Sequence, residues 1–266
     1  MRYNEANCLG PHTESLHFSI SFYFQIMIQS PSTPPYDFIA GCTLLVNKPK
    51  DWTSFDVVNK IRYHLRTLTG VKKIKVGHAG TLDPMATGLL IICTGKFTKK
   101  LANFQGLGKT YSGTFTLGAT TPSYDAETEI DHTFPTDHIT TELLEEKRQT
   151  FLGPLEQLPP MYSAIKVDGQ PLYKKARKGI VVEVKPRPVE IMNFDLTRVE
   201  IPEVDFQVAC SKGTYIRSLA FDYGKALGSG GYLTGLRRDS IGEFLLDDAW
   251  ELPDLIEHIE GLNSED

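Results

Sequence analysis

Residues 77–90 read Gly-His-Ala-Gly-Thr-Leu-Asp-Pro-Met-Ala-Thr-Gly-Leu-Leu. Glycines at 77, 80 and 88 let the backbone turn tightly and let a ligand approach closely. Pro84 pushes Asp83 out of the helical region and into an extended or bridging conformation, so its carboxylate projects from a loop. Asp83 is also the only acid between residues 60 and 110, against ten Lys and Arg. A carboxylate among cations is held in its charged form. It can then serve as a nucleophile, a general base or an ion-pair anchor. The plainer reading is that Asp-Pro merely starts a turn.

To the right of this loop, Gly88–Thr94 (GLLIICT) is a continuous apolar run whose Ile-Ile-Cys centre and flanking glycines favour a buried strand. To the left, Thr43–Asn47 reads as a short strand ended by Lys48-Pro49. Thr53 then caps a helix, with Asp56 three residues on completing a capping-box pattern. Phe55, Val58, Ile61, Leu65 and Leu68 give that helix an apolar face, and it ends near Gly70. Tyr111, Gly113, Phe115 and Leu117 alternate with Ser112, Thr114 and Thr116, which is the period of a strand. A helix is predicted over 140–151 and another over 216–227, with strands at 180–184, 189–199 and 204–211. Strands and helices intersperse without a regular βαβ rhythm. The fold class is therefore α+β, with a mixed, mostly antiparallel central sheet flanked by helices and loops.

The chain has 266 residues, 41% apolar and 23% charged, which excludes a wholly disordered chain, a fibre or a disulfide mini-scaffold. Its net charge of −5 hides an asymmetry. Residues 239–266 hold ten acids and no Lys or Arg, leaving +5 on residues 1–238. A second basic stretch contains Lys166, Lys174, Lys175, Arg177, Lys178, Lys185 and Arg187. Two basic stretches on one chain point to a polyanionic partner, nucleic acid first among them, although such runs are often only solvated faces. Cys8, Cys42, Cys93 and Cys210 are unpaired in sequence and read as small buried hydrophobes of a reducing compartment. Residues 16–28 are apolar but too short to span a bilayer, so no membrane association is expected. Residues 1–37 read as a leader that is disordered or starts from a mis-assigned methionine, Met27 being the alternative start, and SPSTPP at 30–35 reads as a linker.

Two further motifs differ in weight. Gly108-Lys109-Thr110 imitates the end of a phosphate-binding loop, but its leading glycine would be Asn103 and a strand follows where a helix should. Ser211–Arg217 (SKGTYIR) places Tyr215 and Arg217 on one face if strand geometry persists, which would suit base stacking or carboxylate pairing; a surface arginine beside an edge tyrosine is the bland alternative. No pair of histidines has metal-ligand spacing, so no metal is expected.

The 77–88 block resembles the signature of the TruB-type tRNA pseudouridine synthases, and four other blocks follow the family's order. These are Leu45–Pro49 with Trp52–Asp56, Lys109–Tyr111, Pro159–Lys166 and Cys210–Arg217. The resemblance implies an isomerase that converts uridine to pseudouridine in the T-loop of tRNA (position 55) with no cofactor. It implies Asp83 as the catalytic carboxylate, acting at C6, at C1′ or on the 2′ proton. Tyr111 would stack on the base and act as an acid or base, and Arg217 would pair with Asp83. Tyr215 would line the pocket, and His78 would fill space or touch RNA when the nucleotide flips out. Lys48, Lys99 and Asp125 match further positions near the RNA or the flipped base.

The expected domain is residues 38–252, followed by an acidic tail at 253–266. Many family members carry a C-terminal RNA-binding domain that this sequence does not show, so the expectation is a short form acting as a cytoplasmic monomer without a guide RNA. A guide-dependent rRNA isomerase and a non-catalytic RNA chaperone are the alternatives. Dependence of turnover on a guide would favour the first, and indifference to Asp83→Asn the second.

Overall fold

The computed structural model describes residues 36–262, save 164, 168 and 181. The leader, Cys8 and the last residues of the acidic tail lie outside this range. The strands are β1 (Thr43–Lys48), β2 (Val76–His78), β3 (Thr87–Thr94), β4 (Lys109–Leu117), β5 (Ala119–Thr120), β6 (His132–Thr133), β7 (Gly153–Gln157), β8 (Lys166–Val167), β9 (Gln170–Pro171), β10 (Arg187–Glu200), β11 (Glu203–Cys210), β12 (Gly231–Ile241), β13 (Phe244–Leu245) and β14 (Trp250–Glu251). Six α-helices accompany them among the described residues: α1 (Ser54–Thr69), α2 (Leu101–Gln105), α3 (Thr141–Gln149), α4 (Leu172–Ala176), α5 (Ile216–Ala226) and α6 (Leu252–Gly261).

Ten strands form one sheet in the order β14-β1-β3-β12-β4-β11-β10-β7, with β2 added to β3 and β13 to β12. Only the β1–β14 and β3–β12 pairs are parallel. The mixed, mostly antiparallel sheet expected from the sequence is therefore present.

The apolar run of β3 has a physical cause. Leu90 and Ile92 pack with α1 and α6, while Leu89, Ile91 and Cys93 pack against Phe104, Ile241 and Phe244 on the other face. A strand covered on both faces loses the hydrophobic alternation. β4 is covered on one face. Tyr111, Phe115 and Leu117 join α3 and α5 in a third cluster, and Ser112, Thr114 and Thr116 face the other way.

The capping box forms as expected. Thr53 Oγ1 accepts from the Asp56 N–H at 3.1 Å, and Asp56 Oδ2 accepts from the Thr53 N–H at 2.9 Å. Gly70 ends α1 in the left-handed conformation, at φ 67°. Cys42, Cys93 and Cys210 are buried free thiols, pushed up to about 12, 11 and 11 chiefly by burial.

Three expectations need correction. Phe55 is 58% exposed, and Val57 takes its place in the buried face of α1. Residues 182–184 form no strand: their backbone pairs with no neighbouring strand among the described residues. The chain is also packed well past residue 252. α6 buries Leu252, Leu255, Ile256 and Ile259 against α1 and β1, while its acids face out.

Candidate active site

The Asp83 loop, between β2 and β3, is held by donors and acceptors from several elements. Ser54, at the start of α1, accepts from the Leu82 N–H at 2.8 Å. Pro84 O accepts from Lys48 Nζ at 3.2 Å and from the Asp51 N–H at 2.8 Å. Asn47 Oδ1 accepts from the Gly88 N–H at 3.1 Å. The Ala86 N–H closes a turn on Asp83 O at 3.1 Å. A loop whose backbone groups are satisfied in this way keeps one conformation.

Asp83 meets Arg217, on the first turn of α5. Arg217 Nη2 donates to Asp83 Oδ1 at 3.1 Å, and Nε stands 2.9 Å from Oδ2. One hydrogen bond, from Nη2, and the close approach of Nε, which is buried without a hydrogen-bond partner of its own, join the guanidinium to the carboxylate. The pair is asymmetric: the Arg217 side chain is 4% exposed and that of Asp83 35%. The cation is buried and fixed, and the anion opens to the cavity. Arg217 also donates to Tyr162 O at 3.0 Å and Ser123 O at 3.3 Å.

Its second counter-charge is Asp125 Oδ2, at 3.5 Å from Nε. Asp125 is itself buried and accepts from Ser123 Oγ at 2.6 Å and the Glu127 N–H at 2.9 Å. Burial pushes its carboxyl above the usual range, and the Arg217 charge opposes that shift.

Strand geometry does not persist to Arg217. The chain leaves β11 at Cys210, turns through Gly213 at φ 84°, and enters α5 at Ile216 with Tyr215 as the residue preceding the helix. The turn, rather than the pleat, brings Tyr215 and Arg217 together. Gln157, at the end of β7, fixes the turn. Its amide donates to Tyr215 O at 3.0 Å and accepts from the Tyr215 N–H at 2.7 Å.

Asp83, Tyr111, Tyr215 and Arg217 line one cavity of about 310 Å³. Burial raises the Tyr111 hydroxyl above its ordinary value, and the Arg238 guanidinium beside it acts against that. Tyr215 is likewise raised by burial.

The other expected residues are placed differently. Lys48 is buried behind the loop, and its Nζ donates to Pro49 O, Trp52 O and Pro84 O at 2.8, 2.6 and 3.2 Å. Burial pushes its ammonium down to about 8, against the nearby Asp51 and Asp83 charges. His78 ends β2 half-buried, outside the cavity lining, which begins at Gly80. Burial lowers its imidazole. Lys99 is exposed in a 3₁₀ turn beyond the far end of β3, roughly 23 Å along the strand from the Asp83 loop. There it borders a second hollow with Lys73, Lys75 and Lys96.

Three residues at or behind the cavity wall carried no sequence signal as site residues. Arg238 neighbours an exposed arginine, and nothing in the pair of residues says which of the two is buried. Gln157 is a buried glutamine before a Pro-Pro step, though it braces the cavity rather than lining it. Lys109, from the imitation phosphate loop, donates instead to Gln105 O and Leu107 O at 2.9 and 2.5 Å. Burial lowers it to about 8. Among the described residues, no three His, Cys, Asp or Glu cluster as metal ligands, and no helix is long and apolar enough to cross a membrane.

Comparison with known proteins gives consistent matches. The TruB family pseudouridylate synthase (N-terminal domain) profile matches residues 66–216. A protein of Flavobacterium johnsoniae named tRNA pseudouridine synthase B is 55% identical over 219 residues, covering 82% of this chain and 96% of that protein. One of the same name from Phocaeicola vulgatus is 57% identical over 212 residues, covering 80% and 90%. Among solved structures, a Cbf5-Nop10-Gar1 complex contains a chain of similar fold, with TM-score 0.65 and 24% identity, covering 89% of this chain and 60% of that one.

Proposed function

Because the chain belongs to the TruB family of pseudouridylate synthases, we propose that it isomerises uridine to pseudouridine in tRNA, at position 55 of the T-loop. The observation that carries the reading to specific residues is the Asp83–Arg217 pair, with its carboxylate open to a cavity that Tyr111 also lines. In the reaction the C1′–N1 bond breaks, the uracil turns, and C1′ joins C5. The hydrogen of C5 leaves as a proton and N1 takes one up, so there is no net redox change and no cofactor is called for.

Asp83 is the catalytic carboxylate. Arg217 keeps it charged and aimed, because a buried guanidinium with two fixed acceptors has little freedom to move away. Tyr111 stacks on the base and has a hydroxyl within reach of it, and Tyr215 closes the cavity wall. The target uridine must leave its stack to enter, at a cost of a few kcal/mol. Contacts between basic side chains and phosphates offset that cost, and binding therefore weakens with salt. His78 and Lys99 contact RNA outside the cavity, while Lys48 and Asp125 hold the catalytic pair from behind. The catalytic unit is one domain from about residue 38 through α6. It works as a cytoplasmic monomer on the T-arm, without a guide RNA.

The test is tritium release from an unmodified tRNA transcript carrying [5-³H]uridine. C5 cannot bond to C1′ without losing that hydrogen. Wild-type protein alone should release about one equivalent per tRNA, and Asp83→Asn none, while binding the RNA as before. Release by Asp83→Asn near the wild-type rate would remove Asp83 from its role. A requirement for added guide RNA would remove the stand-alone reading.

A further inference from the structure

Arg238 heads the large side chains that are fully buried, at 1% exposure, and it lines the cavity. Among the described residues it makes no ion pair with a carboxylate. A buried guanidinium without a counter-ion must spend its N–H groups on other acceptors. Nε donates to Leu89 O at 2.7 Å, and Nη2 donates to Gly80 O at 3.1 Å. These two carbonyls bracket the loop that carries Asp83.

The strand register explains how one side chain reaches both. β12 lies between β3 and β4, with Arg238 opposite Gly88 on one side and Tyr111 on the other. Gly88, at φ 103°, has no room for a side chain: a Cβ there would lie 2.4 Å from Arg238 O. Gly80, at φ 100°, leaves the guanidinium face open, with Nη1 3.6 Å from where its Cβ would stand. Tyr111 is the cross-strand neighbour of Arg238 on β4, and the Arg238 charge acts on the Tyr111 hydroxyl.

We infer that Arg238 is a positioning residue for the reaction, tying both ends of the Asp83 loop and the Tyr111 side chain to one plane so that carboxylate and tyrosine keep one spacing across the cavity. This rests on the isomerase reading above. It assigns Arg238 a task distinct from that of Arg217: Arg217 holds the carboxylate, and Arg238 holds the backbone that carries it. Lysine cannot substitute, since one ammonium on a flexible stem does not reproduce a planar fork reaching two carbonyls beside Tyr111.

The experiment compares wild type, Arg238→Lys, Tyr111→Phe and the double variant in single-turnover tritium release, with RNA affinity and thermal melting measured alongside. Arg238→Lys should lower the single-turnover rate about 100-fold while RNA Kd stays within about threefold. The double variant should be no more than about threefold slower than the slower single variant, because the two residues act as one unit.

A wild-type rate in Arg238→Lys, or losses that multiply in the double variant, would overturn the inference. So would a loss carried by RNA affinity alone, which would make Arg238 an RNA contact instead. If Arg238→Lys melts below the assay temperature, Arg238→Ala with added methylguanidinium decides. Restored turnover supports the inference, and no restoration overturns it. Silence from the wild-type protein would instead sink the isomerase reading itself, so the two failures are distinguishable.

Discussion

Two arginines in this fold each face acidic groups, and their surroundings could hardly differ more. On the β10–β11 hairpin, Arg198 contacts Asp205 and Glu200 at 2.6 Å and Glu203 at 3.2 Å, with its side chain 37% exposed. Arg217 has fewer and longer contacts, 2.9 Å to Asp83 and 3.5 Å to Asp125, but it is buried. Counting ion pairs would rank the hairpin first. Solvent reverses the ranking, because water and salt screen exposed pairs almost completely. A buried cation keeps its field and suffers when a partner is removed. The hairpin cluster therefore keeps a surface soluble and in register, while the buried pair can hold a reactive group in a fixed charge state.

The largest effect should come from the buried side. Arg217→Lys keeps the charge but loses the planar fork and the bonds to Tyr162 O and Ser123 O. Single-turnover tritium release should fall about 100-fold or more, with RNA affinity almost unchanged. A lysine variant within about threefold of wild type would show that charge alone suffices, and the contrast between the two arginines would lose its geometric half.

Asp125→Asn comes next. It leaves Arg217 with a single counter-ion in a buried setting and should lower unfolding free energy in urea by about 2–3 kcal/mol. Turnover should fall by about tenfold, less than for Arg217→Lys, since Asp83 keeps its partner. An unchanged urea midpoint would mean that Arg217 is already satisfied by its carbonyl contacts.

Lys48 extends the comparison to a third buried cation and can be read by pH. Its folded ammonium titrates near 8, whereas an unfolded lysine holds its proton to about 10.4. Between those values the unfolded chain binds more protons, so the Lys48 contribution makes stability rise with pH. Its three carbonyl contacts favour the charged form and soften the effect. From pH 7.5 to 10, wild type should gain about 1–2 kcal/mol relative to Lys48→Met in urea unfolding. A constant difference across that range, or one of opposite sign, would place Lys48 with the solvent-screened cations.

What the sequence disclosed follows the same division between local and long-range causes. The α1 capping box depends on residues three apart, and β4 announced itself by alternation. The apolar run of β3 reported burial on both faces without saying which elements cover them. Asp83 stood out as the lone acid of a basic stretch, but its meeting with Arg217 bridges 134 positions and came only by family resemblance. The turn at Gly213 took the place of the strand continuation that would have set Tyr215 and Arg217 on one face. α6 carried a helical apolar spacing at Leu252, Leu255, Ile256 and Ile259, yet its acids drew the reading toward a free tail. Arg238 was hidden because the side a strand residue faces depends on register, and two bulges along β12 reset that register against β4.

The smallest effect belongs to the hairpin. Arg198→Gln removes the cation from a group of three acids and leaves Asp205 with the Thr114 hydroxyl as a donor at 2.7 Å. The freed carboxylates are on the surface, where water solvates them and moderate salt mutes their repulsion. Thermal melting should stay within about 2 °C of wild type at 0.15 M salt, drop slightly further at low salt, and leave tritium release unchanged. The salt dependence is the informative part. A loss that persists at high salt, or any fall in turnover, would mean that the β10–β11 face communicates with the cavity through the shared strand pairing with β4. Burial would then no longer separate the two arginines, and their difference would have to be sought in the sheet that joins them.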